Sequence, residues 1–211
     1  MFLTAAQVEA VSAHLDATAE PYGLLMRLAA YTGLRAAELT GLRIRDLNLK
    51  AGHFEARQTL QRIQGEWQVG TPKSRRSTRE VPLVNRALTA ALREYLFAHP
   101  HRANLNALLW PGRMPGTHVV DFTRVFDVSS FRRNYLRPAL ASADLPPMRF
   151  HDLRHTYASL MLAVGFPPYE VSRWLGHASL ATTDFIYAHM YPGDYASHVD
   201  RFEAFVAEAR R

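Results

Sequence analysis

The chain has 211 residues, enough for one sizeable domain, and 48% of them are apolar, so a hydrophobic core can form without covalent staples. It contains no cysteine, which excludes disulfides, thiolate metal centres and a cysteine nucleophile. A formal net charge of +6 favours a polyanionic partner, most simply nucleic acid.

Thr4 and Gln7 have capping-box spacing ahead of Val8, Val11 and Leu15, which predicts a first helix. Residues 21–31 carry Leu24, Leu25, Leu28 and Ala29 at helical spacing, and Gly33 ends that second helix. Ala36, Ala37, Glu38 and Leu39 form a short helix that stops near Gly41. Residues 43–49 alternate, with Ile44, Leu47 and Leu49 set against Arg43, Arg45 and Asp46, which reads as a strand before a turn at Ala51-Gly52. Phe54 to Ile63 and Trp67 to Val69 read as further strands joined by Gln64-Gly65-Glu66. A basic loop from Pro72 to Thr78 leads into Glu80-Val81-Pro82-Leu83, a strand that its proline limits to an edge.

The chain is helical again from Ala87 through Leu88, Leu92, Tyr95 and Leu96. Pro111 to Thr117 reads as loop, and Ser129 to Ala141 as a helix carrying Arg132, Arg133 and Arg137, broken off by Pro146-Pro147. Short helices follow over 150–163, 168–175 and 182–187, then an amphipathic helix over 195–209. The expected fold class is mainly α with a small antiparallel β-sheet inserted early (α+β), with no linker that divides it. No apolar run is long enough to cross a bilayer, and Met1-Phe2-Leu3-Thr4 lacks the layout of a secretory signal, so the expected location is the cytoplasm.

Five segments carry chemistry. In Thr32-Gly33-Leu34-Arg35-Ala36-Ala37-Glu38-Leu39, a glycine turn aims Arg35 and Glu38 follows at i,i+3, where it can hold the guanidinium. The same pair also fits a plain surface salt bridge. Thr71-Pro72-Lys73-Ser74-Arg75-Arg76-Ser77-Thr78-Arg79 is the densest positive segment and reads as a phosphate-binding hairpin loop or a solvated one. His151-Asp152-Leu153-Arg154-His155 has two readings. Two histidines four apart beside an acid resemble a zinc site, but Arg154 would sit against the metal and no third ligand is obvious. The favoured alternative points His151 and Arg154 at a phosphate, with His155 packed behind. Leu175-Gly176-His177 frees a histidine at a helix end, and Tyr187 follows ten residues later as an oxygen nucleophile.

Taken in order, these segments resemble the tyrosine recombinase (phage integrase) family. The resemblance rests on Thr32 to Leu39, Lys73, His151 to Thr156, Leu175-Gly176-His177 and Thr182-Thr183 ahead of Tyr187, and it covers most of the chain. It implies a single catalytic domain over residues 1–211, with the upstream core-binding and arm-binding domains of the family not included. Tyr187 stands one residue further from His177 than in many members.

The resemblance also implies an activity, namely site-specific cleavage and rejoining of double-stranded DNA through a 3′-phosphotyrosyl bond at Tyr187. Arg35 and Arg154 would bind the non-bridging oxygens, Lys73 would protonate the leaving 5′-oxygen, and His151 would handle the tyrosine proton. His177 would donate to the phosphate, Glu38 would support Arg35, and His155 would support the histidine–arginine segment. Arg75, Arg76, Arg79, Arg132 and Arg133 are expected DNA contacts. The expected partners are DNA attachment sites and, in the synaptic complex, a homotetramer of a protein that is a monomer when free. Residues 195–211 would be exchanged between protomers. Neither a metal nor another cofactor is expected. The alternatives are a type I topoisomerase-like relaxing enzyme and a DNA-binding module without catalysis.

Overall fold

The computed structural model describes residues 2–70 and 78–177, together with Val199, Asp200, Phe202, Glu203, Val206 and Ala207. The expected strand-transfer residues Lys73 and Tyr187, the expected DNA contacts Arg75 and Arg76, and the 182–187 helix lie outside the described residues. Of the terminal helix only those six residues are described, and all six are helical.

The capping box at Thr4 forms, with the Thr4 side chain accepting from the Gln7 N–H and the Gln7 side chain accepting from the Thr4 N–H. It starts α1 (Ala5–Ala19), whose buried side, Val8, Val11 and Leu15, packs on α2 (Tyr22–Thr32). Nearly every residue of α2 is buried, as befits a helix surrounded by others rather than lying on the surface. It ends at Gly33, which adopts φ 63°. A Cβ there would lie 2.6 Å from both Leu175 and Tyr157, so the left-handed turn and the close approach both require glycine. The short α3 (Ala36–Thr40) follows.

A single 3₁₀ turn over Ile44–Asp46 replaces most of the strand expected over 43–49. The Asp46 carboxylate takes the Arg43 N–H and guanidinium, and this local pairing outcompetes strand extension. What remains is β1 (Leu47–Asn48), which pairs antiparallel with β2 (His53–Ala56); β2 pairs in turn with β5 (Arg79–Pro82). Between β2 and β5 stands a separate hairpin, β3 (Thr59–Ile63) and β4 (Glu66–Gly70), turning at Gln64 and Gly65, both at positive φ.

The helix α4 (Arg86–Ala98) is capped by Asn85. A second hairpin, β6 (Pro111–Arg113) with β7 (Val120–Val125), occupies a stretch whose start reads as loop in the sequence. The helix expected over 129–141 is present as α5 (Val128–Phe131), a π turn over Arg132–Leu136 and α6 (Arg137–Ser142) without a break. The last described helices of the main body are α7 (Asp152–Val164) and α8 (Pro168–Leu175).

One large core joins α1, α2, α4, α5, α6 and the sheet through Leu15, Leu25, Phe54, Leu92, Trp110 and Phe131. A smaller cluster of Tyr157, Ala158, Met161, Val171, Trp174 and Leu175 locks α7 to α8. Mainly helical architecture with small antiparallel sheets is thus the observed fold class. Among the described residues no helix is long and apolar enough to cross a membrane.

Candidate active site

The site forms where the starts of α3 and α7 meet the end of α8. Arg35 is the N-cap residue of α3, and Glu38 three residues on turns back to accept its backbone N–H at 2.9 Å. The other Glu38 oxygen takes Arg35 Nη1 at 2.9 Å, and Arg35 Nη2 donates to the Gly176 carbonyl at 2.9 Å. Its side chain keeps 39% of its surface exposed, so the guanidinium is braced yet open to solvent.

Arg154 lies on the stripe of α7 that also carries Tyr157, Ala158 and Met161 at i+3, i+4 and i+7, and that stripe faces the core. A charge there must be paired or hydrogen-bonded. Nη1 donates to the Gly33 carbonyl at 2.8 Å and Nη2 to the Leu175 carbonyl at 2.5 Å. The two glycine turns and the two arginines are therefore cross-linked, Arg154 holding the turn before Arg35 and Arg35 holding the turn after α8.

Gly176 ends α8 at φ 66°, and the His177 N–H closes on the Ser172 carbonyl at 3.1 Å. This Schellman-type turn delivers His177 to the two arginines. Its pKa is pushed down to about 4 by burial first, then by the charges of Arg154, Arg35 and Arg79. The imidazole is neutral at pH 7 and keeps one N–H. The unfolded histidine takes a proton near pH 6.5 and the folded one only near 4, so between these values the unfolded state binds the extra proton and stability falls as pH drops from 6.5 towards 4. Chemical denaturation is therefore expected to show lower stability at pH 5 than at pH 7, with a smaller difference in His177→Asn. An unchanged difference in that variant would count against the placement of His177.

His151 immediately precedes α7, and its ring stands edge-on to that of His155 at 5.3 Å. Desolvation first, then the charges of His155 and Arg154, lower the His151 pKa and favour the neutral ring a proton acceptor needs. His155 is half-buried and its pKa is lowered chiefly by desolvation. Asp152, the would-be general base of a zinc site, is instead occupied. It accepts the Arg149 backbone N–H at 2.9 Å and Arg149 Nη2 at 2.8 Å. Burial works against its charge, but Arg149 holds its carboxyl below the usual range. Among the described residues no group of three metal-ligating side chains converges.

Arg79 corrects one expectation. Expected among the DNA contacts, it instead opens β5 pointing inward, with 5% of its side chain exposed. Nη1 and Nη2 make a two-point contact with Glu38 at 2.8 and 3.0 Å, and Nε donates to the Trp174 carbonyl at 2.5 Å. Burial opposes the charge on Glu38, and Arg79 and Arg35 overcome it, holding the carboxyl below its ordinary value. Arg132 and Arg133, by contrast, lie exposed on the π turn. The structure therefore brings together Arg35, Glu38, His151, Arg154, His155 and His177, and adds Arg79 and the carbonyls of Gly33, Leu175 and Gly176.

A sequence model of the phage integrase family matches residues 1–193. The ICEBs1 integrase of Bacillus subtilis (strain 168) is 24% identical over 176 residues, which cover 83% of this chain and 47% of that protein. The chain thus spans about half the length of the curated relatives it matches. The Tn1549 transposon integrase (residues 82–397), solved in complex with circular intermediate DNA, superposes with a TM-score of 0.72 at 20% identity, covering 96% of this chain and 67% of that one. The catalytic domain of bacteriophage HP1 integrase gives 0.54 at 20% identity, covering 94% of this chain and 93% of that one. With the family model covering most of the sequence and the fold shared with these integrases, the chain belongs to the phage integrase family.

Proposed function

We propose that this chain is the catalytic domain of a site-specific DNA recombinase that cuts and rejoins strands through a covalent tyrosyl–DNA bond. The observation that carries this reading is the convergence of Arg35, Arg154 and His177 on the turn that ends α8. Two fixed cations and a neutral donor in a partly buried corner suit a phosphodiester whose negative charge grows during displacement. Without DNA, the arginines rest on main-chain carbonyls at the negative end of the α8 dipole.

In this reading the Tyr187 oxygen attacks phosphorus, and the bond from phosphorus to the 5′-oxygen breaks. His151 takes the phenol proton and Lys73 gives one to the departing 5′-oxygen. Arg35 and Arg154 hold the non-bridging oxygens and His177 donates a further hydrogen bond. The 5′-hydroxyl of a partner strand then reverses the step and displaces the tyrosine. The bond energy stays in the covalent link, so neither ATP nor a metal is needed. Arg75, Arg76, Arg132 and Arg133 neutralise flanking phosphates, and synapsis assembles four protomers with the segment 195–211 docked on a neighbour. Sedimentation of the protein on paired sites would count those protomers.

The direct test uses nicked duplexes with a randomised core, from which a cleaved end diffuses away and traps the adduct. Covalent protein–DNA adducts are expected in the presence of a chelator, at the rate seen without it. Loss of adducts on chelation and their return with zinc would revive the metal reading of His151 and His155.

A further inference from the structure

Three successive carbonyls at the end of α8 are each taken by a different arginine. Trp174 accepts from Arg79, Leu175 from Arg154 and Gly176 from Arg35. Two of these arginines belong to the proposed phosphate site. The third, Arg79, is sealed between β5, α3 and α8 with 5% of its side chain exposed. Among the described residues it holds Glu38, which also holds Arg35, and the Trp174 carbonyl, which adjoins the carbonyls held by Arg154 and Arg35.

The first anchor is Glu38. Oε1 accepts from Arg35 Nη1 and Arg79 Nη1, and Oε2 accepts from the Arg35 N–H and Arg79 Nη2. Four donors meet the roughly four lone-pair positions of a carboxylate, so its orientation is fully specified. Glu38 has only 2% of its side chain exposed, and its burial works against the charge that Arg79 and Arg35 together sustain. The second anchor is the Trp174 carbonyl, one peptide from the Leu175 carbonyl that Arg154 uses and two from the Gly176 carbonyl that Arg35 uses. These three carbonyls sit on one turn, closed by the Gly176 N–H on the Arg173 carbonyl and the His177 N–H on the Ser172 carbonyl, so the turn moves as a unit and displacing the first displaces the others. Gly176 adds a steric tie, because a Cβ there would stand 3.0–3.2 Å from the Arg79 side chain.

We propose that Arg79 is a positioning residue of the strand-transfer site, fixing where Arg35 and Arg154 present their guanidinium groups by holding Glu38 and the end of α8 at once. The inference rests on the recombinase reading above. It distinguishes Arg79 from a buried ion pair that serves stability alone, and it separates Arg79 from its neighbours Arg75 and Arg76 in the same basic run. Lysine keeps the charge but lacks the planar fork, and so cannot span Glu38 and reach the Trp174 carbonyl together.

The test compares wild type with Arg79→Lys on a duplex sequence captured from the randomised nicked library. It is synthesised with an ordinary scissile phosphodiester and as each of the two phosphorothioate diastereomers. Sulfur accepts an N–H bond poorly, so the phosphorothioate whose sulfur faces an arginine already forfeits what that arginine supplies. Arg79→Lys is expected to bind the duplex with unchanged salt dependence and to form adducts about 10²-fold more slowly on the phosphodiester. Its deficit shrinks on one phosphorothioate diastereomer. A deficit equal on all three substrates is the signature of ordinary structural damage and overturns the proposal, as does an adduct rate equal to wild type. If Arg79→Lys does not fold, Glu38→Gln takes its place. It keeps the shape of the side chain without the charge shared by both guanidinium groups, and the same pattern is expected and the same results overturn. A wild-type protein that forms no adduct on any library member overturns the recombinase reading itself, and this inference with it.

Discussion

Arg154→Lys is expected to slow covalent adduct formation by about 10²–10³-fold while leaving DNA affinity nearly unchanged. Arg154 is 4% exposed and spans two main-chain carbonyls, Gly33 at 2.8 Å and Leu175 at 2.5 Å, that belong to different parts of the fold. Lysine is a point charge on a flexible stem and cannot hold both carbonyls while facing a phosphate. The loss therefore falls on the transition state, where charge grows, rather than on ground-state binding, to which many exposed basic groups contribute. A buried charge stripped of its partners also destabilises, so the melting temperature is expected to fall as well. Adduct formation on a nicked duplex, measured below the new melting temperature and beside fluorescence anisotropy for binding, separates the two effects. An Arg154→Lys protein that cleaves at the wild-type rate would remove Arg154 from the chemistry.

The larger effect is expected for Tyr187→Phe, which removes one oxygen atom. If Tyr187 is the nucleophile, no residue replaces it and adducts vanish, whereas DNA binding persists because the ring and every basic side chain remain. Full adduct formation in this variant, with loss in Tyr191→Phe or Tyr195→Phe, would shift the nucleophile by four or eight residues.

Much of the site could be read from the sequence because its parts are local. A glycine before Arg35, a glutamate three residues after it and a glycine before His177 are short-range signals, and all three make the turns and contacts they suggest. Arg154 was legible as part of a helix face, but the Gly33 and Leu175 carbonyls it holds come from distant segments that no spacing reveals. Arg79 was misread for a physical reason. It ends a run of exposed-looking cations, yet it also begins a strand, and the two-residue period puts Arg79 and Val81 on the inner face with Glu80 outside. That alternation was the available signal, and the basic run masked it. The hairpin of β6 and β7 was missed because the alternation Val120-Asp121-Phe122-Thr123 lasts only four residues before Arg124 breaks its phase, so pairing with Pro111–Arg113 defines the strand. The strand expected over 43–49 failed because the Arg43–Asp46 pairing is a three-residue event, which closes a 3₁₀ turn regardless of alternation.

The proposed chemistry joins DNA to one tyrosine, Tyr187, at a site built on the end of α8. Its most direct test is peptide mapping by mass spectrometry of the adduct trapped on a nicked duplex. The expected product is a nucleotide attached through its 3′-phosphate to Tyr187, with a free 5′-hydroxyl on the released strand. A 5′-phosphate on that strand, or attachment at a residue other than Tyr187, would contradict it.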